Sequence, residues 1–390
     1  MGRIRPFVQE DIPRVAELCW QFLQGQRGTH PPGMEGYFRE LFFHNPWFDS
    51  SISALVYEEG QSQVNGFLGI VPRPMSINGR LVQAAFGSSL VVHPDSRATL
   101  AGPKLLAAFM DGKQDLMLTD TSSRLGQQIW VGLGGSTSAE YGLKWARPLR
   151  FGLYGLSRIS QLGEETLSGS RSRACGALHK TIDAVAAKIP VGRQRRPPDG
   201  VTGEELEIET LLHSCLSISS ECYSLRPEYN ERSLRWLLDF MNQMKAFGNL
   251  RKVLLRSATG ETIGWFIYFA KRGGIAEVVQ IGAVKRGTLK TVLNHLFADA
   301  RNYNATAVHG RLEIRHAQEL SEARCFLWAS VPLLFHARDR ELTRLIQLGD
   351  ACLSRLDGEW CLRYGALANE RTEGASVELD LAGEGIDASR

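Results

Sequence analysis

The stretch that decides the reading is Leu90-Val91-Val92-His93-Pro94-Asp95-Ser96-Arg97-Ala98-Thr99-Leu100-Ala101-Gly102-Pro103-Lys104-Leu105-Leu106. An apolar strand ends at His93-Pro94, a basic residue follows, then small residues, then an amphipathic helix over about 100–110. A strand–loop–helix of this kind aims backbone N–H groups out of the helix N-terminus, and such a terminus suits anions, phosphates above all. Small residues let a phosphate approach the backbone, and Arg97 adds positive charge beside it. His93 is a candidate titrating group, although before Pro94 a structural role is the simpler reading.

Working outward, the preceding chain alternates elements cleanly. Ile4–Val8 reads as a strand. A helix opens around Asp11-Ile12-Pro13, where proline in the first turn loses no hydrogen bond. A second helix is expected over Met34–Phe43, stopped by Asn45-Pro46. Strands follow at Ile52–Tyr57 and Val64–Pro72. Asn78-Gly79 marks a tight hairpin, and Leu81–Val92 reads as one long strand. Beyond the loop, Leu116–Thr119 is a strand closing on Asp120, Leu125–Leu133 a helix ended by Gly134-Gly135, and Tyr141–Tyr154 final strand material.

A similar order recurs after residue 204. Helices are expected over 206–222 and 231–247. Strands are expected at Lys252–Arg256, Ile263–Ala270 and Ile275–Val284, a helix over Thr288–Tyr303 and a strand over Ala305–Leu312. Leu55-Val56-Tyr57, a glycine turn and Gly66-Phe67-Leu68-Gly69-Ile70 are matched by Leu254-Leu255-Arg256, a glycine turn and Gly264-Trp265-Phe266-Ile267-Tyr268. Like order at a long offset points to a duplicated domain.

The chain thus divides into a first domain over 1–160, a connector over 161–203 that includes the basic run Arg193-Gln194-Arg195-Arg196, a second domain over 204–365, and an acid- and glycine-rich tail over 366–390 expected to be disordered.

Composition fits this picture. The 390 residues are 43% hydrophobic and 22% charged, with a net charge of +3. That charge is too mild to indicate a DNA binder. No window is apolar enough for a membrane span, and no leader is read at the N-terminus, so a cytoplasmic protein is expected. The seven cysteines form no CxxC pair, which argues for reduced thiols and against a structural metal site.

The motif segment resembles the pyrophosphate-binding motif of the GNAT acyltransferase superfamily: Arg or Gln, two variable residues, Gly, one variable residue, then Gly or Ala, after a strand often ending in Val-x-Pro. Arg97 stands at the basic position and Gly102 at the final small one, with Leu105 and Leu106 on the apolar helix face. Leu100 departs from the pattern, which has glycine there. A retained function would have its side chain turned into the helix–sheet core. In the second half, the segment from Val284 to Lys290 holds the corresponding place but has lost the spacing.

The resemblance implies an α+β chain of two tandem GNAT-like domains, each a mixed, mostly antiparallel sheet flanked by helices. It implies an N-acyltransferase taking acetyl-CoA or another acyl-CoA as donor and a small-molecule amine as acceptor. The motif strand would splay from its neighbour, with backbone contacts from Leu90 and Val92 and the pyrophosphate held by Arg97, Ala98, Leu100, Ala101, Gly102 and Pro103. The family's acid is a tyrosine in the helix after the next strand. That helix here offers Ile129 and Trp130, so Tyr154 is carried as the catalytic acid although it does not match that position, and Asp120 as the base. Two other readings remain open at this point: a non-catalytic ligand-binding or assembly module of degenerate GNAT domains, and a peptidyl transferase using aminoacyl-tRNA.

Overall fold

The computed structural model describes residues 2–60, 63–155, 200–217, 221–285 and 287–364. The tail and most of the connector lie outside the described residues. The connector's last residues are an exception to that reading, since from Val201 they already form a strand.

In the first half β1 (Arg3–Pro6), α1 (Ile12–Leu18) and α2 (Gly33–Phe43) lead into β2 (Leu55–Glu59) and β3 (Gln63–Pro72). β4 (Met75–Ile77) and β5 (Arg80–Val82) form the hairpin signalled by Asn78-Gly79, and both turn residues have positive φ, 51° and 79°, as a type I′ turn demands. The expected single strand over 81–92 is two. Gln83 leaves the ladder to bond the Asp115 carboxylate, and β6 (Ala84–Val92) begins after it. Then come α3 (Ala101–Met110), β7 (Leu116–Thr119), α4 (Arg124–Gly132), β8 (Ser136–Ser138) and β9 (Leu143–Pro148). Chain expected to be strand through Tyr154 turns helical at Phe151 instead.

The second half runs β10 (Val201–Glu205), a helical stretch over 208–216, β11 (Leu225–Pro227), α5 (Glu231–Asn242), β12 (Asn249–Ser257), β13 (Thr262–Ala270), β14 (Ile275–Ala283), α6 (Leu289–Asn302), β15 (Ala307–Arg311), α7 (Ala317–Glu322), β16 (Phe326–Ala329), β17 (Leu333–Ala337) and α8 (Arg340–Gln347).

Fourteen of these strands build two seven-stranded sheets, ordered β1-β2-β3-β6-β7-β17-β8 and β10-β12-β13-β14-β15-β9-β16, and β11, β4 and β5 form a small third one. Each large sheet is antiparallel except for one parallel pair, β6/β7 in the first and β14/β15 in the second. The two orders superpose position for position, and the sixth strand of each comes from the other half. β17 pairs Leu334 with Thr119 and Phe335 with Leu118, while β9 pairs Val308 with Arg147 and Gly310 with Trp145. A division near residue 160 therefore separates two segments of chain but not two cores.

The packing repeats the message. The largest cluster of buried apolar side chains joins Phe38, Phe67 and Val91 from the first half to Leu237, Trp265 and Trp360 from the second. The chain over 351–364 threads between the halves, with Ala351, Leu356, Cys361 and Leu362 at most 3% exposed. Side chains that pack this closely transmit displacement from one half to the other.

Candidate functional site

β6 pairs with β3 along its length, with a register shift opposite Leu68 where Ser89 takes φ 51°. That bulge bends the strand. On its other edge β6 pairs with β7 only from Ala84 to Phe86. From Gly87 to Val92 that edge has no strand partner among the described residues, so the sheet forks and its backbone amides and carbonyls are left out of the ladder there. Leu90 lines the fork's cavity with Leu68, Leu106, Phe109 and Trp130. Val92 closes the unpaired stretch and lies against Gly102, where a Cβ would meet its side chain at 3.8 Å. The cavity holds about 40 Å³, room for roughly three waters.

At the open end of β6 the chain makes a 3₁₀ turn over Pro94–Thr99, entered by His93, whose ring accepts the Asp95 amide at 3.3 Å and packs edge-on against Phe22. α3 starts immediately afterwards. Ala98 and Arg97 are exposed, and Arg97 has no ion-pair partner among the described residues. Ala101 is fully buried and seats the helix on the sheet, while Gly102 and Pro103 are partly exposed. The amides at the start of the helix have no intrahelical acceptor, although Pro103 has none to offer. These features fit an anion at the loop and an extended chain along the strand edge.

Leu100 corrects one expectation. Its side chain does not turn into the core: it is 60% exposed and its backbone is left-handed, φ 59° and ψ 32°. That conformation favours glycine, which is why the resembling motif has glycine there and why a leucine in its place is pushed outward.

Asp120 stands at the end of β7, on the side where the fork opens. Its carboxylate takes Arg311 Nη1 at 3.0 Å and the Glu359 amide at 3.3 Å, and its side chain is 3% exposed. Arg311 ends β15, the strand that matches β7 in the second sheet. Gly358 permits this approach, because a Cβ on it would fall 2.3 Å from Asp120 Oδ2.

Glu359 was not visible as a site residue in the sequence, being 239 positions from Asp120 (359 − 120) and marked by no motif. Its carboxylate accepts from Thr121 Oγ1 at 2.5 Å and from Thr119 Oγ1 at 3.5 Å, and Thr119 lines the fork's cavity. Burial, and then the neighbouring Asp120 charge, push its acid up to about 8. A carboxyl group poised there exchanges a proton near neutral pH.

Tyr154 has a different setting. Its hydroxyl lies 2.9 Å from His309 Nε2. His309 faces Glu277 at 3.8 Å, which in turn takes Arg355 at 2.5 Å. Glu277 and His309 are the last paired residues of β14 and β15, so this network stands at the crotch of a second fork. His309 and Arg311 alternate on one face of β15. The structure thus brings Asp120 and Tyr154 to the same strand face, each on its own partner.

Set beside solved structures, most of the chain aligns with proteins of one architecture. A conserved protein of unknown function from Enterococcus faecalis V583, titled a probable N-acyltransferase, matches at 11% identity, covering 86% of this chain and 72% of that one, with a TM-score of 0.56. A GCN5-related N-acetyltransferase from Anabaena variabilis ATCC 29413 matches at 13% identity over 87% and 74%, TM-score 0.55. Another from Kribbella flavida matches at 14% over 87% and 72%, TM-score 0.53.

The chain has a tandem GNAT fold. No protein-family model matches it, and no curated protein matches it in sequence. In this fold β6 and β7 are the parallel pair of the first sheet, and the fork is the gap between them. The second half carries the same fork between β14 and β15 with a shortened loop, of which Arg286 lies outside the described residues. Among the described residues no helix is long and apolar enough to cross a membrane.

Proposed function

We propose that this protein is an acyl-CoA-dependent N-acyltransferase whose donor occupies the first fork. The observation that carries the reading is the unpartnered edge of β6 from Gly87 to Val92, leading directly to the exposed loop and the start of α3. An extended pantetheine chain fits such an edge as an added strand would, and the helix N-terminus with Arg97 suits the pyrophosphate. The bound thioester supplies an activated acyl carbonyl.

The chain's own residues do the rest. Backbone amides of the bulged strand around Leu90 offer donors to the carbonyl oxygen, where negative charge develops as an amine attacks. Glu359 receives the proton that the attacking ammonium must lose. Thr119 and Thr121 orient its carboxylate. Asp120, locked to Arg311, raises its proton affinity and serves as a positioning residue rather than as the base. Phe109, Trp130 and Leu334 close the floor of the small cavity, which favours a short acyl group such as acetyl over a long chain. The acceptor is an amine reaching Glu359 from the junction between the halves.

The experiment is thiol release from acetyl-CoA, followed against a panel of small amines and peptides with free amino termini. The reading predicts release that requires an amine and is lost in Glu359→Gln with donor binding retained. Donor binding without amine-dependent release in any member of the panel would favour a binding module.

A further inference from the structure

The second half carries a cleft that the acyl-transfer reading does not use. It lies at the closed end of the second fork, between the start of β12, the β13–β14 turn and the end of α6, and holds about 550 Å³, within the range of small-molecule sites. Its ten lining residues include the cations Lys245, Lys271 and Arg272 and the amides Asn249, Asn302 and Asn304, and no carboxylate. Lys245 donates to Asn242 at 3.2 Å. The side chains of Lys271 and Arg272 have no ion-pair or hydrogen-bond partner among the described residues.

Positive charge continues behind the cleft. Asn304 accepts Arg150 Nη2 at 2.6 Å, and its backbone amide bonds the Arg301 carbonyl at 2.8 Å. Burial, then the charges of Arg147 and Arg150, hold Arg301 below its ordinary value. Arg147 is the telling member. It is 3% exposed, it donates to the Arg324 carbonyl at 3.0 Å, its Nε has no acceptor, and no carboxylate pairs with it among the described residues. Buried cations are ordinarily paired, because leaving water uncompensated is costly. Here arginines close enough to repel one another adjoin, through Asn304, a cleft that is itself basic.

We propose that this cleft binds a compact phosphorylated molecule, of di- or triphosphate size, gripped by Lys245, Lys271 and Arg272 in the field of the Arg147, Arg150 and Arg301 cluster. Several cations with amide donors suit the many acceptor oxygens of a phosphate chain better than a single carboxylate. The site is distinct from the loop at Arg97 and does not depend on the acyl-transfer reading.

Tripolyphosphate is the probe, titrated calorimetrically into the full chain at low salt. The wild type should show a binding component that Lys271→Glu/Arg272→Glu weakens at least tenfold and Arg97→Glu leaves intact. Both variants should keep the wild-type circular dichroism spectrum. Lys271→Ala/Arg272→Ala, the milder change, should give an intermediate loss if the charge-reversal variant misfolds. Arg147→Met should melt no lower than the wild type without ligand and show a smaller upward shift of melting temperature with tripolyphosphate. Absence of binding, equal binding by the alanine and wild-type proteins, or loss through Arg97→Glu alone would overturn the proposal. A 20-nucleotide RNA binding more than tenfold tighter than tripolyphosphate would also overturn it, in favour of an extended polyanion.

Discussion

Leu100→Gly separates two accounts of the loop by sign and size. A left-handed backbone costs a leucine about 1–2 kcal/mol, and glycine relieves that. Glycine adds about 0.5–1 kcal/mol of unfolded-state entropy. The side chain is 60% exposed, so about two fifths of its surface is covered, worth about 0.6–1.2 kcal/mol of the 1.5–3 for full burial. Relief and loss nearly cancel, and the variant should lie within about 1 kcal/mol of wild type in urea unfolding. Leu105, which is fully buried, provides the contrast, since Leu105→Ala should lose about 2–5 kcal/mol. Clearing the side chain from the mouth of the loop should leave acetyl-CoA affinity equal to or a few-fold above wild type by calorimetry. A loss above about 2 kcal/mol in Leu100→Gly would show the side chain to be packed, and the account of the turn would fail.

Charge reversal in Arg97→Glu should weaken acetyl-CoA binding, with the deficit larger at low salt than at high, because an exposed cation acts through a screened field; equal affinity at every salt concentration refutes the loop assignment. Glu359, raised to about 8, should give a rate that climbs about tenfold per pH unit up to that value and then levels, and Glu359→Gln should remove the limb and about 10²–10⁴-fold of the rate. The same shift acts on stability. The folded state holds the Glu359 proton more tightly than the unfolded chain, whose ordinary value is 4.5, so stability is full below about 4.5 and is lost as pH rises through about 8. Glu359→Gln should therefore melt above wild type at pH 9 and level with it at pH 4. Arg311→Met should lose about 3–5 kcal/mol, since it strands the buried Asp120 carboxylate, and a chemical denaturation curve unchanged from wild type would show that the pair contributes nothing.

Much of the local structure was legible because its causes are local. β7 falls on Leu116–Thr119 and α2 within one residue of its expected start, since apolar periodicity and the Asn45-Pro46 stop sit in the sequence itself. The splayed strand was expected only from the family resemblance, and the loop from the small residues after Pro94. The exchange of β9 and β17 was not legible. A strand's pattern states that one face is buried but not which sheet buries it, and Trp145 is as apolar beside Gly310 as it would be in its own half. Glu359 was hidden for the same reason. Its chemistry comes from Thr119, Asp120 and Thr121, which folding alone brings beside it. Leu100 was misread because a leucine beside a helix suggests core, whereas a positive φ turns it to solvent. The sequence also could not show the partners of Asp120 and Tyr154, Arg311 and His309, which stand two residues apart on β15.

Hydrogen exchange with and without acetyl-CoA tests the central claim most directly, because it reads the backbone edge on which the reading stands. Amides over Gly87–Val92 and the first turn of α3 should slow on adding the donor, while the corresponding stretch of β14, from Val278 to Ala283, stays as it was. Protection confined to β14, or no protection in either fork at saturating acetyl-CoA, would contradict the assignment of the first fork as the donor site.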